Sequence, residues 1–245
     1  MSYRGWLLLV FALAVAATGM APYDRRDWSL EHVPTAAAVW FLIWYEKRPG
    51  GRPLSDGAYS LLFVFGLLHV VGAHYLYSRV PYDAWGSTLF GVAPSRWFGT
   101  DRNHYDRLVH LCFGLLVLPS IAELVRRHVA RSRGWAIVVA IAFVGVLGKL
   151  YELAEWWLAV ALSPEAAAAY NGQQGDPFDA QKDMALAFAG SLISSLFVGL
   201  RQRRRSAPVE AAEGPAWAAA APRLRTPENT NTSVSSPATA PGARR

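Results

Sequence analysis

Long apolar stretches without charged residues recur along the first 200 residues of the chain. Five of them contain almost no Asp, Glu, Lys or Arg: 5–23, 57–78, 108–122, 134–162 and 184–200. About 20 mainly apolar residues are needed to cross a bilayer as a helix. A shorter and weaker apolar stretch begins at Pro34. The pattern therefore predicts six transmembrane helices, over residues 5–22, 33–46, 58–78, 107–126, 134–162 and 183–201.

The basic residues of the short connecting segments indicate an orientation. Lys and Arg are concentrated in segments 46–57 and 126–133 and directly after the last span, at 201–205. Cytoplasmic loops of membrane proteins carry this excess of Lys and Arg. Six spans with both termini in the cytoplasm place the three basic segments on one side. We therefore predict an all-α, polytopic integral membrane bundle over residues 1–201, with cytoplasmic N- and C-termini.

Composition supports a membrane protein and argues against other classes. Charged residues make up 17% of the chain, against about 25% in ordinary soluble domains. The single cysteine, Cys112, excludes a disulfide scaffold. Residues 202–245 hold seven Arg and three Glu, so most of the net charge of +6 lies there. Little basic charge remains for a nucleic-acid surface, and the expected partner is the lipid bilayer.

Both ends of the chain allow specific interpretations. The first span follows Arg4 and ends in small residues near Ala21, which also fits a cleaved signal peptide. That alternative stays open beside a retained first helix. Residues 202–245 are rich in Ala, Pro, Ser, Thr and Arg without a sustained apolar period. This composition is typical of disorder and predicts a disordered basic cytoplasmic tail.

Ionisable residues inside the predicted spans fall at one depth, near the predicted outer side. Asp106 and His110 are four residues apart at the start of the fourth span, and therefore share a helical face. Glu152 and Glu155 lie about 27 Å or more along the fifth span, at 1.5 Å per residue from its inner start. Ionisable groups within a span are costly and point to function.

Acid and imidazole pairs on facing helices are how helical bundles build metal sites. Oxygen and imidazole ligands together suit Zn, Mn or Fe, whereas carboxylates alone suit Mg or Ca. We therefore expect a divalent metal site in this polar layer. Its candidate ligands are His74, Asp106, His110, Glu152, Glu155, Asp176, Asp179 and Asp183.

A metal-dependent enzyme would also need catalytic groups. Arg102 and Arg107 are candidates for holding an anionic head group, and Glu155 is the candidate general base because a carboxylate at a partly dry boundary binds protons more readily. The alternative is that the same residues form separate structural ion pairs. In that interpretation Lys149 neutralises Glu152, and Asp106 pairs with a neighbouring arginine.

Four motifs carry a resemblance to a known family: HVVGAHYLYSRVPYDAW, RNHYDRLVH, YELAEWW and NGQQGDPFDAQKDM, in this order. The chain resembles the YjdF type of bacterial inner-membrane proteins, which carry the domain of unknown function 2238. The resemblance covers about residues 5–200 and implies a multi-pass protein of the bacterial inner membrane with no established activity.

A more distant resemblance is to VanZ-like proteins, which are linked to glycopeptide-antibiotic resistance. Asp106-Arg107 with His110 matches the first part of their pattern, and Glu152 or Glu155 the second. Asp183 and Gly190 match the third part, but Ala187 stands where that pattern has Asn.

Three classes of function fit these features. The first is a metal-dependent membrane enzyme acting on a lipid or an envelope substrate at the outer leaflet. The second is an ion- or proton-coupled carrier, for which Lys149, Glu152 and His69 would form a path. The third is a non-catalytic membrane scaffold, in which the polar layer only holds the helices together.

Overall fold

The computed structural model describes residues 1–99, 102–130, 132–161 and 174–206. The predicted tail from residue 207 onward and Arg131 of the basic loop lie outside the described residues. The described residues form seven α-helices and a 3₁₀-helix at Pro94–Phe98, with no strand among them. The α-helices are α1 Tyr3–Met20, α2 Arg25–Lys47, α3 Asp56–His74, α4 Tyr82–Phe90, α5 Tyr105–His128, α6 Arg133–Ala161 and α7 Asp179–Ser206. The predicted all-α class is confirmed.

Five of these helices are long and apolar enough to cross a membrane: α1, α3, α5, α6 and the part of α7 over Asp179–Leu200. They correspond to five of the six predicted spans. The structure thus supports a helical membrane bundle.

Helix α2 differs most from its prediction. It begins at Arg25, eight residues before the predicted start at residue 33, and Pro34 lies inside it. Asp24 caps the helix, since its Oδ1 accepts the backbone N–H of Asp27 at 2.9 Å. An acidic N-cap satisfies one of the free amides of the first turn. Although α2 is 23 residues long, it is not among the five apolar helices.

Helices α1 and α3 run in the same direction, and α2 runs in the opposite direction between the same two ends of the bundle. At one end of the bundle Arg4 of α1 contacts Glu46 of α2 at 2.6 Å and Asp56 of α3 at 3.9 Å. At the opposite end the N–H of Tyr23 donates to the carbonyl of His74 at 3.0 Å. We call the end of the bundle at which α2 and α5 end the basic end. The opposite end, at which α5 and α7 begin, is the acidic end.

A further tie at the basic end joins α5 to the start of α3. The carboxylate of Glu123 accepts the backbone N–H and the hydroxyl of Ser55, at 3.0 and 2.8 Å. Arg127 pairs with Glu123 and donates to the carbonyl of Arg52 at 2.7 Å. Glu123 therefore has a structural role.

Helices α5 and α7 approach each other closely through two glycines. A Cβ atom at Gly114 would lie 1.9 Å from the carbonyl oxygen of Ala187, and one at Gly190 would lie 2.1 Å from that of Leu111. Small residues at such contacts let membrane helices pack backbone to backbone. Gly114 and Ala187 each lie four residues, about one turn, from an ionisable residue of the acidic end.

Candidate metal centre

Three predicted ligands come together next to the α5–α7 contact. Asp106, His110 and Asp183 each offer a ligand atom, and these atoms all lie within 4.8 Å of one another. Nε2 of His110 is 3.5 Å from Oδ1 of Asp106. Asp183 is 2% exposed and His110 9%, so the group is shielded from its surroundings. The close approach at Gly114 and Ala187, one turn along each helix, explains why residues from α5 and α7 meet here.

Helix α6 adds a further carboxylate from the other side. Oε1 of Glu152 lies 3.7 Å from Nε2 of His110, and Glu152 is 9% exposed. Glu155 follows Glu152 by three residues in α6, and its side chain is half-buried. Lys149 is exposed, and the ion pair described for Glu152 is with His110. Within the described residues, the predicted alternative pairing of Lys149 with Glu152 is therefore not formed.

Two oxygen atoms of this group are buried without a hydrogen-bond partner in the described part of the chain: Oδ1 of Asp183 and Oε1 of Glu152. Native proteins leave few buried polar atoms unsatisfied, because each one costs about 1–3 kcal/mol. A cation is one way to satisfy a carboxylate oxygen in such a place. One imidazole and several carboxylates form a donor set that fits Zn, Mn or Fe.

The other two predicted ligands of the α7 start pair with basic residues instead. Asp179 contacts Arg102, and it lies 3.4 Å from Arg107. Asp176 contacts Arg107 at 2.5 Å and Lys182 at 2.6 Å. The hydrogen bond from Lys182 is the largest of the causes that lower the pKa of Asp176 to about 2. We call these five residues the ion-pair brace, and it ties the start of α7 to α5 and the segment before it.

His74 also lies outside the three-residue group. Its Nδ1 is 2.9 Å from the carbonyl oxygen of Thr18 in α1, and its ring stacks edge-on against Tyr75. A carbonyl only accepts hydrogen bonds, so Nδ1 carries a proton in this contact. The structure therefore places His74 at the α1–α3 contact of the acidic end.

A second buried network, which the sequence did not predict, centres on Glu31 of α2. Glu31 is 3% exposed, and its Oε2 accepts the hydroxyl of Tyr151 at 2.7 Å. Nε2 of His69 donates to the carbonyl of Glu31 at 3.1 Å, and Tyr77 Oη lies 2.5 Å from Nδ1 of the same imidazole. A neutral His69 that donates from Nε2 can only accept at Nδ1, so the hydroxyl of Tyr77 donates to it.

This network adjoins the candidate metal group. The ring of Tyr151 packs edge-on against that of His110, with centroids 6.0 Å apart. Glu31 was missed because the predicted second span began at residue 33. The N-cap signal at Asp24 would have placed Glu31 inside the helix, where a charged residue draws attention.

Comparison with known proteins identifies the family. The family described as "Predicted membrane protein (DUF2238)" matches residues 3–205. The chain belongs to this family. Inner membrane protein YjdF of Escherichia coli (strain K12) is 32% identical over 201 residues, which cover 80% of this chain and 90% of that protein. No solved structure matches the chain.

The four motifs of this DUF2238 protein surround the acidic end of the bundle. The first supplies His69 and Tyr77, and the second, residues 102–110, supplies Asp106 and His110. The third contributes the Glu152 region of α6, and the fourth, residues 171–184, includes Asp183. Residues 171–173 lie outside the described part of the chain. The described part of each motif contributes residues to the candidate metal group, to the network around Glu31 or to the ion-pair brace.

Proposed function

We propose that this membrane protein is a metal-dependent enzyme whose divalent cation is held by Asp106, His110 and Asp183, with Glu152 beside them. The observation that carries the proposal is the grouping of three ligand atoms within 4.8 Å. The buried oxygens of Asp183 and Glu152, which lack a hydrogen bond among the described residues, support it independently, because a cation would satisfy both.

Charge at the acidic end supports the same proposal. The two arginines of the brace are engaged by Asp176 and Asp179. Asp106, Asp183 and Glu152 therefore surround His110 without a described ion pair to Arg or Lys. Carboxylates this close together repel unless they retain protons or share a cation. A divalent cation would lower that repulsion and satisfy the unpartnered oxygens together.

The chemistry expected of such a site is hydrolysis or group transfer at a phosphate or carbonyl. A bound divalent cation polarises such a group and activates water. Glu155 is the proposed general base, since it lies three residues after Glu152 and on the same side of α6. Arg102 and Arg107 put positive charge next to Asp106 in sequence and space, which would attract an anionic head group. A lipid or a lipid-carried envelope precursor has these features.

The orientation belongs to the same proposal. Arg48, Arg52, Arg126 and Arg127 lie at the basic end, opposite the candidate site, and cytoplasmic loops carry such residues. The similar protein from Escherichia coli is named an inner membrane protein. We therefore place this chain in the bacterial inner membrane with its termini in the cytoplasm and the candidate site near the outer leaflet.

Element analysis of protein purified without chelator tests the proposal. We expect about one Zn, Mn, Fe or Mg ion per chain, lost on chelation together with part of the thermal stability. Asp183→Asn should abolish binding because it removes a buried ligand. Asp176→Asn is the matched control, since the same change in the brace should leave the metal content unchanged.

Metal-free wild-type protein that also fails to bind added metal would overturn the proposal and favour a scaffold or a carrier. Equal metal loss in both variants would instead show that the site depends on the brace. It would refute the proposal that Asp183 is a ligand and Asp176 is not.

A further inference from the structure

Helix α2 is fixed at its two ends and stands away from the bundle between them. At the acidic end Glu31 bonds to Tyr151 and His69. At the basic end the hydroxyl of Tyr45 lies 2.8 Å from Nε2 of His128. Glu31 and Tyr45 are the buried residues of α2, and about 21 Å of helix separates them at 1.5 Å per residue.

A groove occupies the space beside this central part of α2. Its volume is about 680 Å³, within the range of roughly 300–1,000 Å³ usual for sites that bind small molecules. Its walls come from α1, α2, α3, α5 and α6, and they are almost wholly apolar, with Leu8, Phe11, Ala38, Leu42 and Phe63 among them. These five helices lie side by side in the membrane bundle.

The groove ends at the candidate metal group. Asp106 and His110 line it at the acidic end, together with His69, Tyr77 and Tyr151. On α3 it extends from His69 to Tyr59, ten residues or about 15 Å. That length is half of the roughly 30 Å hydrocarbon core, which is the depth that the chains of one leaflet fill. The groove thus has about the length of a lipid chain. Asp106 and His110 lie at one end of it, and Arg4, Glu46 and Lys47 lie at the other.

The opposite flank of the metal group is occupied by the ion-pair brace, whose arginines contact Asp176 and Asp179. A molecule that reaches Asp106 and His110 along the groove passes about 15 Å of hydrocarbon wall. Such a wall favours an apolar chain over a polar solute. The groove therefore favours an amphiphile over a polar solute. A cation at the metal group would draw an anionic head group to that end, whereas Arg4 at the other end is already paired with Glu46.

We propose that the groove binds one hydrocarbon chain of a lipid amphiphile whose anionic head group reaches Asp106 and His110. The assignment of the head group rests on the proposed metal site, whereas the binding of the chain rests on the groove alone. Ala38 of α2 lines the groove, and Ala37 beside it is exposed and does not. The two alanines therefore form a matched pair for testing.

The test uses a monoacyl glycerol phosphate that carries a photoactivatable diazirine at its chain end, added to detergent-solubilised full-length protein. Ala38→Trp fills the groove and should reduce photolabelling at least about tenfold, equivalent to about 1.4 kcal/mol of binding free energy. Ala37→Trp should label like the wild type. Ala38→Leu, a smaller change, should give an intermediate loss, and thermal unfolding verifies that each variant is folded.

Peptide mapping of the label tests the direction of the chain. Label from the chain end should appear near Leu42 or Phe63, toward the basic end, and label from a diazirine near the head group should appear near Val109. The reverse distribution would overturn the head-group assignment. Equal labelling of wild type and Ala38→Trp would overturn chain binding.

Metal content measured on the same samples separates the two proposals. Groove-dependent labelling of metal-free protein would support the groove and refute the metal enzyme. Metal-loaded protein without groove-dependent labelling would support the metal enzyme and refute chain binding in the groove.

Discussion

The backbone contact between α5 and α7 should control whether Asp106, His110 and Asp183 can share one ion. Gly114→Ala tests this directly. The added Cβ would lie 1.9 Å from the carbonyl oxygen of Ala187, whereas ordinary contact begins at 3.4 Å. The helices must therefore separate by about 1.5 Å at this point, because a helix backbone cannot relax as a side chain does.

The consequence for the metal follows from the geometry one turn away. The ligand atoms now lie within 4.8 Å of one another, and two ligands of a tetrahedral ion bound at about 2.1 Å are roughly 3.4 Å apart. Separation of the helices would widen the gap between His110 and Asp183 by about 1.5 Å, and metal sites tolerate deviations of only about 0.2 Å in their ligand distances. We expect at least about a 100-fold loss of metal affinity and about 1–3 kcal/mol of lost stability from overpacking.

Metal titration and thermal unfolding with and without chelator measure both effects. The wild type should lose stability on chelation, whereas Gly114→Ala should already unfold at a lower temperature and should not respond. Gly145→Ala in α6 is the control, because Gly145 is exposed and a Cβ there meets no atom within 4 Å. Wild-type metal affinity in Gly114→Ala would refute the view that the α5–α7 contact sets the ligand spacing.

Two further predictions concern pH and orientation. Lowering the pH from about 7 to about 5 should release the ion, because protons compete for its carboxylate and imidazole ligands. The brace should persist, since a carboxylate with a lowered pKa keeps its charge until the pH falls through that value, about 2 for Asp176. The difference in melting temperature between wild type and Asp176→Asn should thus be the same at both pH values, and its disappearance at the lower pH would contradict this. In a Cys112→Ser background, Gln174→Cys should react with a membrane-impermeant thiol reagent in intact cells and Pro215→Cys should not; the opposite labelling would invert the proposed orientation.

The depth of the polar layer could be predicted from the sequence because the rise of a helix is fixed. Counting residues from the predicted ends placed Asp106, His110, Glu152 and Asp183 at one level, and the structure brings these four together. The direction in which each side chain points depends on the rotation and the neighbours of its helix, which the sequence pattern does not contain. For this reason Asp176 and Asp179 were grouped with the ligands, although they pair with arginines, and His74 was grouped with residues that it does not contact.

The two contacts that the sequence analysis missed have different causes. Glu31 was misplaced by a local error, the late start of α2 at Pro34, and the cap at Asp24 could have corrected it. The approach of Gly114 to Ala187 is a property of a helix pair. Single small residues are common in membrane helices, and only the position of the partner helix shows which of them form a contact.

The charges around the candidate metal group favour a divalent cation. Arg102, Arg107 and Lys182 engage Asp176 and Asp179, so the brace carries one excess positive charge. Asp106, Asp183 and Glu152, when ionised, place three negative charges around His110. One divalent cation and the excess charge of the brace together balance these three charges, whereas without a cation the carboxylates would repel one another unless they retained protons.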